Sequence, residues 1–185
     1  MHVRSEHAKE AVRWKLFQEK RHQVRKNDNS HETILNLNSP FRPFEDATKL
    51  EFFAKKEDAS LFVFGNHNKK RPDNLIIGRF YDQQLLDMIE LGVDDYKGLQ
   101  EFRNEKVSAE IKPFITFSGD AFEKSDEMKR LKSLLIDFFR GPEITNVRLA
   151  GLEHSIQFTA TDEGKISMRS YKIIMKKSST PKMPR

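Results

Sequence analysis

Cysteine is absent from the 185 residues, which excludes a disulfide framework, a thiolate zinc site and a cysteine nucleophile. Long apolar runs are absent too. Stretches such as Leu61 to Phe64 fall far short of the roughly 20 residues a membrane helix needs, and mean hydropathy is -0.71, so no membrane partner is expected. Secretory and mitochondrial leaders would need an apolar core or a Ser-rich, acid-poor start, and residues 1 to 32 have neither. The six histidines show no metal-ligand spacing: His2, His7, His22 and His31 lie near the start, and His67 and His154 are isolated. The serines and threonines form no nucleophile elbow, and no GxxxxGK phosphate loop occurs. Carboxylates are plentiful, but Asp82, Asp94, Asp95 and Asp120 read as helix-cap, loop and turn residues and do not form a catalytic pair. The chain is expected to be no enzyme and to carry no cofactor.

What is present is charge, unevenly placed. Lys and Arg number 33 against 28 Asp and Glu, a net +5. Residues 82 to 127 hold 12 acids and 5 bases, so this stretch carries -7 and the remainder +12. From Lys165 to Arg185 there are seven bases and no acid. Such polarity suits a polyanion, most often nucleic acid, because each neutralised phosphate releases condensed counterions; the plain alternative is a solvated basic surface.

Residues 1 to 32 contain no glycine or proline and read as a polar basic arm, with an amphipathic helix predicted over 5 to 26. A helix is predicted to start with Pro43 in its first position, where a missing amide hydrogen costs nothing, and to present Ala47, Leu50, Phe53 and Ala54. Continuous apolar runs at Leu61 to Phe64 and Leu75 to Phe80 predict strands buried on both faces. Asp82 then opens a predicted helix carrying Leu85, Leu86 and Ile89 as far as Gly92. In the second half, a strand at Pro113 to Phe117 and a turn at Ser118 to Asp120 precede the clearest helix, with Met128, Leu131, Leu134, Leu135, Phe138 and Phe139 on one face. Strands are predicted at Asn146 to Ala150, Ser155 to Ala160 and through Met175, the last with a bulge between Met168 and Tyr171.

Moved by 86 residues, the halves fall on each other: Phe52 and Phe53 on Phe138 and Phe139, Gly65 on Gly151, and Gly78 on Gly164. A duplicated β-α-β unit is the better explanation. The first copy then needs a strand before Pro43, for which Thr33-Ile34-Leu35 is the candidate.

Two basic segments are candidate binding sites. In the loop Asn66, His67, Asn68, Lys69, Lys70, Arg71, three consecutive bases are held between buried-strand signals; Lys and Arg suit phosphate oxygens, while Asn and His suit sugars or base edges. The alternative is a solvated loop in which His67 tunes local polarity. At the end of the chain, Arg169 and Lys172 could project from the last strand, with Lys176 and Lys177 continuing into a flexible arm. Lysines on an edge strand also discourage aggregation.

The strings RPFED (Arg42 to Asp46), LFVFGNHNKKRPDNLIIGRFYD (Leu61 to Asp82), LDMIELG (Leu86 to Gly92), RLKSLLIDFFRGP (Arg130 to Pro142), RLAGLEH (Arg148 to His154) and RSYKI (Arg169 to Ile173) closely resemble the Brix-domain ribosome assembly factors over residues 42 to 177. The resemblance implies an α/β, mixed α+β fold: a Brix domain at 33–177, made of two pseudo-symmetric β-α-β halves (33–107 and 108–177) similar to anticodon-binding domains of tRNA synthetases. The arm 1–32 precedes it and a basic flexible tail, 178–185, follows. Relatives carry a lysine-rich strand where this chain has Ile34 to Asn38, and continue beyond Pro181-Lys182, so a domain cut short at both ends is expected. A nuclear, nucleolar and non-enzymatic role is also implied: binding 5S rRNA and pre-rRNA and placing the 5S ribonucleoprotein particle, with its two ribosomal proteins, on the large-subunit precursor. The implied protein partner is the regulator of ribosome synthesis 1 homologue. Lys69, Lys70, Arg71, Lys172, Lys176 and Lys177 become RNA or particle contacts under this resemblance. The alternatives are a mainly protein-binding scaffold without RNA affinity, and a metal-dependent RNA-processing enzyme resting on the scattered carboxylates.

Overall fold

The computed structural model describes residues 41–67, 69–70, 72–97, 101–102, 111–141, 146, 151–161 and 164–174, with the backbones of two strands at 21–26 and 32–36. The chain divides into two compact units near residues 98 and 99.

The first unit contains β1 (Arg21–Lys26), β2 (Glu32–Asn36), α1 (Thr48–Glu57), β3 (Ala59–Asn66), β4 (Asn74–Tyr81) and β5 (Gln84–Gly92). Its five strands lie in the order β2-β1-β3-β4-β5, every neighbouring pair antiparallel. Helix α1 places Leu50 and Ala54 against Phe62, Phe64, Ile76 and Phe80, with Phe41 completing the cluster and Leu85 and Met88 packed at its margin. Residues on the alternate positions of the same strands, Leu61, Val63, Leu75 and Ile77, are buried as well, so β3 and β4 are apolar on both faces as their sequence runs predict. Gly78 belongs to this packing: a Cβ there would meet the Phe62 ring and come within 2.9 Å of the Asp87 carbonyl.

The second unit contains β6 (Phe114–Ser118), α2 (Ala121–Lys124), α3 (Asp126–Phe139), β7 (His154–Ala160) and β8 (Ile166–Lys172). Strand β6 is parallel to β7, and β8 is antiparallel to it. The connection from β6 through the helices to β7 is therefore a β-α-β crossover. Phe122, Leu131, Leu134 and Leu135 are buried, and the Phe117 ring meets Phe122 and Phe158 at 5.2 Å each. Gly119 allows the chain to turn out of β6: its φ is 108°, and a Cβ would strike the Ala160 carbonyl oxygen.

Several expectations are corrected. The segment after Asp82 is strand β5, not a helix. Asp82 and Gln83 both have positive φ (49° and 64°), the geometry of a two-residue turn that folds β5 back on β4. Residues 21–26 of the expected N-terminal helix form β1, hydrogen-bonded between β2 and β3, a case of sheet pairing overriding a local period; the remainder of that helix lies outside the described residues. Pro43 sits in a turn before α1, not in its first position. The helix starts at Thr48, whose amide donates to Asp46 Oδ1 at 2.9 Å. This contact, with the Thr48 side chain contributing most, holds the Asp46 carboxyl below its ordinary range. No bulge interrupts β8: its pairing with β7 runs without a shift from His154↔Lys172 to Ala160↔Ile166.

The internal likeness holds as helix followed by hairpin, but not at the expected offset. Leu61 pairs with Arg79 and His154 with Lys172, so the hairpins centre on residues 70 and 163, a displacement of 93 residues and not 86. Gly78 lies within a strand, whereas Gly164, its expected counterpart, lies in the turn between β7 and β8 with φ of 77°. Thr33-Ile34-Leu35 does lie in a strand, β2, which runs parallel to β3 with β1 between them. The strand expected at 146–150 lies almost wholly outside the described residues. No helix among those residues is long and apolar enough to cross a membrane.

Candidate nucleic-acid interface

The loop of consecutive bases joins β3 to β4. Its base is closed by Asn66 pairing with Asn74, so both ends are fixed by the central hairpin of the five-stranded sheet. Asn74 is buried and its amide nitrogen donates to Glu90 Oε1 at 2.9 Å, which ties the end of the loop to β5. The Val93 amide donates to the Asp73 carbonyl at 2.9 Å and continues that tie past the strand. Above this floor, His67 Nδ1 lies 2.9 Å from Asp73 Oδ1, with both side chains largely in solvent. Asp73 itself has φ of 50°, a left-handed turn residue.

Lys69 and Lys70 are exposed on this loop, while Asn68 and Arg71 lie outside the described residues. Lysines held on an anchored hairpin lose less freedom on binding an anion than lysines on an unanchored segment would. Nothing in the sequence marks Asp73 as the partner of His67; the signal was only an acid six residues on, near the end of a turn. Below the loop, Arg79 and Asp87 form a two-pronged pair, Nε to Oδ1 and Nη2 to Oδ2, both 2.8 Å, at opposed positions of β4 and β5. This pair fastens the strand whose helical reading is corrected above.

In the second unit Arg169 and Lys172 do not form one patch along β8. Side chains alternate across a strand, so the three-residue separation puts them on opposite faces. Lys172 stands opposite His154, on the face that buries Ile156, Phe158 and Ser170 under the helices. There His154 Nε2 meets Ser170 Oγ at 2.7 Å. Arg169 is exposed on the other face, opposite Gln157. Lys176 and Lys177 lie outside the described residues. Among the described residues no group of three or more His, Asp or Glu is placed to hold a metal ion.

The family model for the Brix domain matches residues 11–185. The chain belongs to the Brix-domain family. Its mixed α+β fold, with a helix and hairpin in each unit, is this Brix domain's architecture. Similar Brix-domain proteins carry the name Ribosome production factor 2 homolog. The one from Homo sapiens is 57% identical over 144 residues, 77% of this chain and 47% of the relative. That from Drosophila melanogaster is 45% identical over 152 residues, covering 81% and 48%. The Arabidopsis thaliana protein is 43% identical over 148 residues, covering 77% and 47%. This Brix chain thus spans about half the length of the curated relatives it matches.

Proposed function

We propose that the chain acts in ribosome biogenesis as a non-enzymatic RNA-binding factor of the large-subunit precursor. In this reading it contacts 5S rRNA, helps seat the 5S ribonucleoprotein particle together with the regulator of ribosome synthesis 1 homologue and the particle's two ribosomal proteins, and supports pre-rRNA maturation in the nucleolus. The observation that carries it is the 57% identity, over 77% of the chain, to a protein named as a ribosome production factor. The anchored basic loop supports an RNA contact in particular. Its lysines stand in solvent on a hairpin whose floor is fixed by the Asn66↔Asn74 pairing and the Asn74–Glu90 hydrogen bond.

Binding of the purified chain to 5S rRNA, titrated from low to physiological salt, tests the reading. Affinity should fall steeply with salt. Replacing Lys69, Lys70 and Arg71 together by Gln should lower the logarithmic salt slope by about 2, since each lost phosphate contact accounts for roughly 0.7 to 0.9. An unchanged affinity and slope would remove the loop from the interface, and no binding by the unaltered chain would overturn RNA recognition itself.

A further inference from the structure

The three-stranded sheet has one face under α2 and α3 and another that these helices do not cover. Register fixes what that second face displays. Phe114, Ser155 and Tyr171 lie abreast in one row across β6, β7 and β8, and Thr116, Gln157 and Arg169 in the next. A third row carries only hydroxyl side chains. Phe114 is 54% exposed and Arg169 is exposed, while Tyr171, Ser155, Thr116 and Gln157 are each half-buried. No position in the three rows holds a carboxylate; Glu153 lies just outside, before β7.

We propose that this face is a platform for single-stranded RNA, with bases stacked on Phe114 and Tyr171 and a phosphate or base edge held by Arg169. The inference rests on the reading of the chain as an RNA-binding factor and gives that reading a second site with different chemistry. Aromatic rings displayed on an open sheet stack unpaired bases without regard to sequence, while hydroxyl and amide side chains between them supply hydrogen bonds. Two strand spacings separate Phe114 from Tyr171, about 10 Å, so each ring takes its own splayed base. Charge agrees: the only ionic group in the three rows is Arg169, a base. A protein-docking face would place apolar residues at its centre, where this one has Gln157 and Ser155.

The test uses the full chain and a fluorescein-labelled oligouridine of 12 nucleotides, with 5S rRNA measured in parallel. Phe114→Ala and Arg169→Gln should each weaken oligouridine binding about tenfold. Phe114→Tyr should bind normally, whereas Phe114→Leu, which keeps the apolar bulk but loses the ring, should be weakened nearly as much as Phe114→Ala. Phe114→Ala should leave the salt slope unchanged, since a stacking contact releases no counterion, while Arg169→Gln should lower it. Both altered positions are exposed, so the variants should keep the thermal midpoint of the unaltered chain. Oligouridine affinity that is indifferent to Phe114→Ala and Arg169→Gln would overturn the platform and leave RNA binding elsewhere intact. A Phe114→Leu variant that binds oligouridine normally would show that the ring does not stack a base and overturn it also. If the unaltered chain binds neither RNA, the platform and the underlying reading fall together.

Discussion

The two sheets differ in what their strands hide. In the five-stranded sheet, β3 and β4 bury successive residues, Leu61 to Phe64 and Leu75 to Ile77, whichever way the side chains point. In the three-stranded sheet, β7 buries only alternate residues, Ile156, Phe158 and Ala160, and sets Ser155, Gln157 and Thr159 between them. A continuous apolar run is committed to packing on both sides and leaves only its loops for a ligand. An alternating strand packs on one side and offers a surface on the other. The first unit therefore has exposed lysines at the end of a hairpin, the RNA contact proposed for it. The second has rings and hydrogen-bonding groups across a sheet face, the platform proposed above.

Substitutions should expose that difference, and the largest effect is expected at Ile77, which is 1% exposed. Ile77→Ala should cost about 2–5 kcal/mol in chemical denaturation, from lost transfer free energy and the cavity left behind. Thr159→Val and Gln157→Ala, on the half-open face of β7, should stay within about 0.5 kcal/mol. Equal losses at the two places would erase the distinction between the sheets. Next comes the Arg79–Asp87 pair, whose side chains are only 19% and 16% exposed. Asp87→Ala removes both of its hydrogen bonds to the half-buried guanidinium and should cost about 2 kcal/mol. Replacing both members together by apolar residues should cost less than Asp87→Ala alone, a result a double-mutant cycle can read.

The smallest effect concerns Asp46, which accepts the Thr48 amide at the start of α1. Its carboxyl is held below its ordinary range in the folded chain by the Thr48 side chain and amide, so the stabilisation is present above the ordinary carboxylate range and is lost as pH falls through the lower folded pKa. Asp46→Ala should lower the thermal midpoint slightly at neutral pH, and the difference from the unaltered chain should close in strong acid. Because the group is exposed, raised salt should also shrink it.

Legibility in the sequence followed the same division. The runs in β3 and β4 and the helix face Leu131, Leu134, Leu135 were readable because burial is written in composition and period. Strand β5 was not, since Leu85, Leu86 and Ile89 fit a helical spacing as well as a half-buried edge strand. The turn that decides between them uses Asp82-Gln83, with no glycine to announce two positive φ values. The repeat was legible in kind but misplaced by seven residues, because glycines were matched by identity although one serves a strand and the other a turn. Of the candidate contacts, the loop lysines were found by charge alone. Arg169 and Lys172 were also found, but their opposite faces needed the register of β8. Phe114 and Tyr171 escaped notice because they are 57 positions apart and become neighbours in a row only through β7.

The central claim is association with the large-subunit precursor through RNA, and gradient sedimentation of nuclear extract from cells expressing the tagged full chain tests it most directly. The chain should migrate with large-subunit precursors that contain 5S rRNA, and brief RNase treatment or replacement of Lys69, Lys70 and Arg71 by Gln should shift it toward the top of the gradient. A chain found only at the top, or one that stays with the precursor after both treatments, would contradict it.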